Sequence, residues 1–179
     1  MTNVRDCSVG MVRANLVAVT LTAPIAGVLW VVYAARWGWA APIHGLLGFL
    51  DWRIAVPAVG MGIVAHEALH AIGWALASGR PLRAIAVGIH WKTLTPYAHP
   101  REPMAVRPYR IGGMVPGLAL GLAPAAVAIA LGWSMLLIFA LVFTLAAGGD
   151  VLALWLIRGV PNERLVQDHP SRVGCVVLE

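Results

Sequence analysis

Four apolar runs, each close to the length of a membrane-spanning helix, constrain this sequence more than any other feature. They cover approximately residues 14–34, 54–77, 111–131 and 134–157. A helix needs about 20 mainly apolar residues to cross the hydrocarbon layer. An open sheet would leave backbone groups unpaired in lipid, so these runs cannot be strands. The sequence therefore predicts an all-α fold, a polytopic membrane bundle of about four transmembrane helices in one domain over residues 1–179.

Composition supports the membrane assignment. Hydrophobic residues make up 60% of the chain and charged residues only 12%, whereas soluble domains are about 45–50% apolar and about 25% charged. The net charge is +5, and the basic residues lie beside the apolar runs. Anionic lipid headgroups are therefore the expected partner of this charge, and nucleic acid is not. The two cysteines form no CxxC pair, which argues against a cysteine metal site.

Two apolar segments allow alternative interpretations. The first run could be a signal peptide, because Arg5 and Arg13 precede it. It is longer than the roughly 7–15 apolar residues of such a peptide, which favours a retained helix. Residues 40–50 are apolar but short, so we expect a re-entrant or interfacial piece. A fifth span at this position would reverse the predicted topology.

The distribution of basic residues predicts the orientation of the bundle. With four spans, the N-terminus, the loop 78–110 and the C-terminal tail share one side. Eleven of the thirteen basic residues lie on that side: Arg5, Arg13, Arg80, Arg83, Lys92, Arg101, Arg107, Arg110, Arg158, Arg164 and Arg172. Only Arg36 and Arg53 lie on the other. Since basic residues accumulate in cytoplasmic loops, both termini are expected in the cytoplasm. β-Branched and aromatic residues in the loop 78–110 predict a short strand pair.

The second run contains the segment VAHEALHAIGWALA, residues 64–77, which places ionisable groups in an apolar helix. Each such group costs about a few kcal/mol in a membrane span, so it is retained mainly at functional positions. His66 and His70 are spaced i and i+4 and share one helix face, where both rings can reach one metal ion. Glu67 lies one position round the helix. This is the HExxH arrangement of zinc hydrolases.

The chemistry of HExxH explains why these residue types are needed. Zinc lowers the pKa of a water molecule to about 7 and polarises the scissile carbonyl. Glu67 would then take the proton of the water and return it to the leaving amine. HExxH fixes only three positions, so a chance match is the alternative. Inside an apolar span, no simple structural role explains two histidines and a glutamate, and metal binding is favoured.

A catalytic zinc usually has three protein ligands, so another run must supply the third. Asp150 is the only acidic residue within the other runs. His70 and Asp150 each lie seven residues before the cytoplasmic end of their run, which is a depth of about 10 Å. Asp150 is therefore the expected third ligand, or else it hydrogen-bonds a ligand histidine. Asp168 and His169 are the fallback ligands, although a turn before Pro170 is the simpler interpretation of that pair.

Four motifs together resemble a known family. They are HEALH, TPYAHPREPMAVRPYRIGGMVPG, AGGDVLALWLI and VQDHPSRVGC, in that order. In this order they resemble a bacterial family of unknown function described as zincin peptidases, related in design to the site-2 proteases, which are intramembrane zinc metalloproteases. The resemblance implies that His66, His70 and Asp150 are zinc ligands and that Glu67 is the catalytic base. It also implies an integral protein of the bacterial inner membrane.

Two function hypotheses follow. The leading one is an intramembrane zinc metallopeptidase that cleaves a membrane-associated protein or peptide near the cytoplasmic leaflet. The alternative is a non-catalytic membrane protein, whose His/Glu/Asp metal site stabilises the bundle or a partner interface. A structural zinc site tends to be closed by a fourth side chain, and the runs offer no obvious one. A metal transporter is less favoured, since it needs polar residues across the whole bilayer.

Overall fold

A computed structural model describes residues 4–91 and 95–178 and confirms a mainly helical bundle. Within these residues, four helices are long and apolar enough to cross a membrane: Met11–Trp37, Trp52–Ser78, Val106–Leu131 and Ser134–Leu156. Each coincides with one of the four predicted runs. Large apolar side chains on the first two helices are widely exposed, including Leu16 at 67% and Leu76 at 79%. This exposure is expected for helices that face lipid.

The helices are divided into seven α-helical elements. They are α1 Met11–Trp37, α2 Ala40–Phe49, α3 Trp52–Ser78, α4 Val106–Pro116, α5 Ala123–Leu131, α6 Ser134–Ala146 and α7 Gly148–Leu156. A π-helical segment, Gly117–Leu122, joins α4 to α5. It begins directly after Pro116, which has no N–H to continue the regular hydrogen bonding. Gly132 ends α5 with φ +75°, and this left-handed residue allows the tight turn into α6.

The short helix α2 resolves the question of a fifth span. It has 10 residues, so its length is about 15 Å, half the thickness of the hydrocarbon layer. It packs against the start of α6, where Gly45 lies against Ser134. A helix of this length is too short to cross the hydrocarbon layer, and among the described residues four helices remain long enough to do so.

Two small antiparallel sheets complete the fold. Strands β2 Ile85–His90 and β3 Thr95–Pro100 form the hairpin that the loop sequence predicted. The second sheet was not predicted. Its strands are β1 Val4–Val9, β4 Met104–Ala105, β5 Leu165–Asp168 and β6 Val173–Leu178, in the spatial order β1-β6-β5-β4. Because β1 pairs with β6, residues 4–9 and 173–178 lie side by side.

The largest buried cluster joins this sheet to the helices. It contains sheet residues such as Cys175 and Val177, and helix residues such as Trp74 and Tyr109. Arg110 donates hydrogen bonds to the carbonyls of Ile157 and Val160 and to the side chain of Asn162. These bonds hold the chain that leaves α7 against α4. The core therefore fixes the C-terminal tail against the ends of α3 and α4.

Candidate metal centre

Helix α3 presents His66 and His70 on one face. The helix begins at Asp51, whose side chain accepts a hydrogen bond from the Arg53 backbone N–H at 2.9 Å, and it ends at Gly79 with φ +68°. Between these caps the helix is continuous, so the i, i+4 spacing brings the two imidazoles close together. Their ring centroids are 4.9 Å apart and their planes make an angle of 79°. Both Nε2 atoms point toward the fourth span.

Asp150 faces these histidines from the first turn of α7. Its Oδ2 lies 3.1 Å from His66 Nε2, and its Oδ1 lies 3.1 Å from His70 Nε2. The three side chains are 12%, 6% and 24% exposed for His66, His70 and Asp150. Potential ligand atoms of the three residues lie within 4.8 Å of one another and could hold a metal ion. The structure therefore brings together the three residues that the sequence analysis proposed as ligands.

The donor chemistry of this group fits a cation. His70 Nδ1 lies 3.1 Å from the carbonyl oxygen of Gly112. A carbonyl oxygen only accepts, which assigns the ring hydrogen to Nδ1 and leaves the lone pair of a neutral ring on Nε2. That lone pair faces a carboxylate oxygen. Asp150 Oδ2 is also buried without a hydrogen bond from the described residues. Two imidazoles and a carboxylate around one point are a ligand set that zinc accepts.

The backbone near His70 is closely packed, and glycine makes this possible. A Cβ atom on Gly112 would lie 2.2 Å from the Trp74 indole, and one on Gly73 would lie 2.9 Å from Gly112 Cα. Trp74 stacks on His70, with ring centroids 4.9 Å apart, and its indole N–H donates to the Tyr109 carbonyl at 3.0 Å. His70 is thus fixed by a stacked ring and by a hydrogen bond to a backbone carbonyl, and metal-binding histidines commonly make such a hydrogen bond.

Glu67 lies beside the ligand group without belonging to it. Its half-buried side chain lines the same cavity as His66 and His70, but it is not one of the three clustered ligands. The backbone of Ala98, in β3, approaches its carboxylate. This position leaves the carboxylate available to exchange a proton with a molecule in the cavity.

A cavity of about 190 Å³ contains these groups, and we call it the polar cavity. Its other walls come from α4, α7 and the tail. The lining residues are His66, Glu67, His70, Trp74, Ala98, Tyr109, Gly113, Asp150, Ala153, Leu154 and Asp168. The cavity therefore collects side chains from three of the four spans, from the hairpin and from the four-stranded sheet.

Asp168 is the lining residue that the sequence analysis misplaced. The interpretation of Asp168 and His169 as a plain turn before Pro170 does not describe both residues, because His169 follows strand β5 and its Nδ1 accepts a hydrogen bond from the Ser171 N–H at 3.2 Å. It was wrong for Asp168, which ends β5 and accepts a hydrogen bond from the Tyr109 hydroxyl at 2.5 Å. Burial raises the pKa of Asp168, although the Tyr109 hydrogen bond acts in the opposite direction. Neither residue belongs to the ligand group. The apolar run VGCVVL, with three valines, was the available signal for β6.

Comparisons with known proteins identify one match. A search of curated proteins and a search of solved structures found none. The model of a family described as "putative zincin peptidase" matches residues 59–165. The match includes His66, Glu67, His70 and Asp150, and it ends before Asp168. Because it covers more than half of the sequence, the chain belongs to this zincin peptidase family.

Proposed function

We propose that the protein is an intramembrane zinc metallopeptidase that hydrolyses a peptide bond of a membrane-associated protein near the cytoplasmic leaflet. The observation that carries the proposal is the convergence of His66, His70 and Asp150 between two helices long enough to span a membrane, with Glu67 beside them. Family membership supports the peptidase reaction. The design resembles that of the site-2 proteases, and the whole chain would act as one domain.

Each residue of the site would have a distinct role in hydrolysis. His66, His70 and Asp150 would hold the ion, which would polarise the scissile carbonyl and acidify a water molecule. Glu67 would accept the proton of the attacking water and deliver it to the leaving amine. The stack of Trp74 on His70 and the Gly112 carbonyl keep the ring orientation fixed during this exchange.

The placement near the cytoplasmic leaflet rests on the pairing of β1 with β6 and on the charge distribution. Both ends of the chain lie in one sheet beside the polar cavity. Eleven of the thirteen basic residues belong to the segments on this side of the predicted topology, which favours a cytoplasmic location. We therefore propose that the sheet faces the cytoplasm of a bacterial cell and that the bundle lies in the inner membrane.

Glu67→Gln separates a peptidase from a non-catalytic metal protein. Glutamine keeps the size of the side chain but cannot accept a proton, so zinc content should persist while cleavage falls by about 10²–10⁴-fold. Wild type and variant are compared on a membrane proteome by detection of new peptide termini, with zinc measured on the same samples.

Glu163→Gln is the matched control, because Glu163 is exposed and outside the cavity. This control should cleave like wild type. Equal product from wild type and Glu67→Gln would refute the mechanism. The non-catalytic hypothesis predicts instead that Glu67→Gln changes thermal stability and that neither protein yields any product.

A further inference from the structure

Asp168 stands between two cavities. It lines the polar cavity, and it also lines an outer groove of about 480 Å³. The other residues of the groove come from β3 and from the tail: His99, Pro100, Gln167, His169 and Pro170. A chain that passes from the outer groove to His66 and Glu67 would therefore run alongside the Asp168 carboxylate.

The sheet and the helices hold this carboxylate in place. Asp168 lies opposite Cys175 in the β5–β6 pair, and Cys175 lies opposite Cys7 in the β1–β6 pair. From the helix side, the Tyr109 hydroxyl donates to Asp168 at 2.5 Å, and the Tyr109 ring stacks on Trp74 with centroids 5.7 Å apart. A carboxylate fixed from both sides loses little conformational freedom when a ligand binds.

Asp168 forms no ion pair with an arginine or a lysine among the described residues. Over residues 4–91 and 95–178, the ion pairs of acidic side chains are those of Asp150 with two histidines and of Asp6 with Arg172. Asp168 has no arginine or lysine partner among them. In the proposed function, Asp150 and Glu67 would already match the charge of a divalent ion. A half-buried carboxylate without a counter-charge is costly, and such groups concentrate at functional sites.

We propose that Asp168 is a specificity-determining residue, which binds a lysine or arginine side chain on the cytoplasmic flank of a membrane-spanning substrate. This role of Asp168 rests on the proposed function and on the proposed orientation of the protein in the membrane. Membrane proteins carry lysine and arginine mainly at the cytoplasmic ends of their spans. A substrate with its scissile bond at the depth of His66 would extend toward the outer groove, where its basic flank meets Asp168. An ammonium or guanidinium group would form a charge-assisted hydrogen bond there.

Binding of two synthetic peptides tests the proposal independently of cleavage. Both carry the same apolar span of about 20 residues; one has a pair of lysines and the other a pair of glutamines at the flank. Affinity is measured by fluorescence in nanodiscs of zwitterionic lipid, with Glu67→Gln protein so that the peptides stay intact. The lysine peptide should bind about tenfold more tightly than the glutamine peptide, because a desolvated charge pair is worth more than a neutral contact.

Variants of Asp168 assign this preference to one side chain. Asp168→Asn keeps an acceptor for Tyr109 but removes the charge, and should bring the affinity ratio close to one. Asp168→Glu should retain the preference. Asp6→Asn, which removes an exposed carboxylate paired with Arg172, is the matched control and should also retain it. An unchanged ratio in Asp168→Asn, or no binding of either peptide, would overturn the proposal.

The peptide-binding experiment and the cleavage experiment can refute the two proposals independently. A charge preference that depends on Asp168, in a protein whose wild type yields no product, would leave the binding site standing and refute the proposed function. Cleavage that depends on Glu67, with a charge preference independent of Asp168, would do the reverse.

Discussion

Two cavities lie on opposite sides of a thin wall and differ in chemistry. Gly113, Asp150 and Leu154 form part of the lining of both. The polar cavity adds histidines, a glutamate, a tyrosine and a second aspartate. The other, which we call the apolar cavity, measures about 180 Å³. Its remaining lining residues are Thr22, Ile25, Met114, Gly117, Leu118, Leu122, Thr144, Ala147 and Val151.

The two threonines that line the apolar cavity offer no free hydroxyl hydrogen to a molecule inside it. The hydroxyls of Thr22 and Thr144 donate to carbonyls of their own helices, at 2.9 and 2.8 Å. Asp150 is the one ionisable residue among those that line this cavity, and its carboxylate oxygens lie near the histidines. The difference teaches that one residue layer can separate a site suited to water and charge from a site suited to hydrocarbon. The proposed hydrolysis within a membrane would need both environments.

The largest predicted difference concerns the two aspartates of the polar cavity. Asp150→Ala should abolish stoichiometric zinc binding, because it removes one of three ligands. Asp168→Ala should keep it, because Asp168 is outside the ligand group. If Asp150 only oriented a ligand histidine, its loss would weaken zinc by about 10–100-fold instead. Titration with a zinc-competing chelator distinguishes these cases, and zinc loss in Asp168→Ala would contradict the assignment.

A second contrast tests the packing behind His70. Gly112→Ala should weaken zinc binding by about 10–100-fold, since the new methyl group would overlap the indole that stacks on His70. Gly149→Ala is the matched control, because a Cβ there has no neighbour within 4 Å among the described atoms. The same chelator titration applies. Equal zinc affinity in the two variants would show that the indole does not hold the ring.

A substitution in the apolar cavity should leave zinc affinity unchanged. Thr144→Val removes a hydroxyl that bonds only within its own helix at 2.8 Å, so zinc affinity should match wild type. The free energy of unfolding should change by at most about 1.5 kcal/mol, the usual range for one hydrogen bond. Chelator titration and thermal unfolding in detergent check both values. A clear fall in zinc affinity would mean that the cavities are coupled through Asp150.

The smallest predicted effect is a pH dependence from Asp168. Burial raises its pKa above the ordinary value of 3.8, so the folded protein holds this proton more tightly than the unfolded chain does. Stability from this source is present below pH 3.8 and is lost as pH rises through the higher folded pKa. Asp168→Asn should therefore gain stability relative to wild type as pH rises. Unfolding temperatures of both proteins, freed of metal and measured over about pH 4–7, test the sign, and a constant difference would contradict it.

The bundle and most of the candidate site could be predicted because each rests on local pattern. Apolar length defined the four spans, and HEALH on a helix placed His66, Glu67 and His70. Asp150 required only a comparison of depth along two helices. The sheet could not be predicted in this way, because β1 and β6 are short and lie at opposite ends of the chain. Without that sheet, the sequence places Asp168 in a tail, and no local pattern predicts its contact with Tyr109.

The contact between α3 and α4 also could not be predicted from the sequence. Gly73 and Gly112 bring the two backbones together, and this approach creates the hydrogen bond from His70 to the Gly112 carbonyl. The sequence contains many glycines, and periodicity does not indicate which of them meet. Pairing between elements distant in the chain is a property of the folded bundle.

Zinc analysis of wild type beside His66→Ala tests the central claim most directly. Each protein is purified in detergent, equilibrated with zinc and freed of loosely bound metal, and its zinc content is measured by mass spectrometry. His99→Ala is the matched control, because His99 is exposed, stacks on Tyr97 and is not one of the three clustered ligands. Wild type and His99→Ala should contain about one zinc ion per chain, and His66→Ala almost none. Wild type without zinc, or His66→Ala with the same zinc content as wild type, would contradict the metal centre.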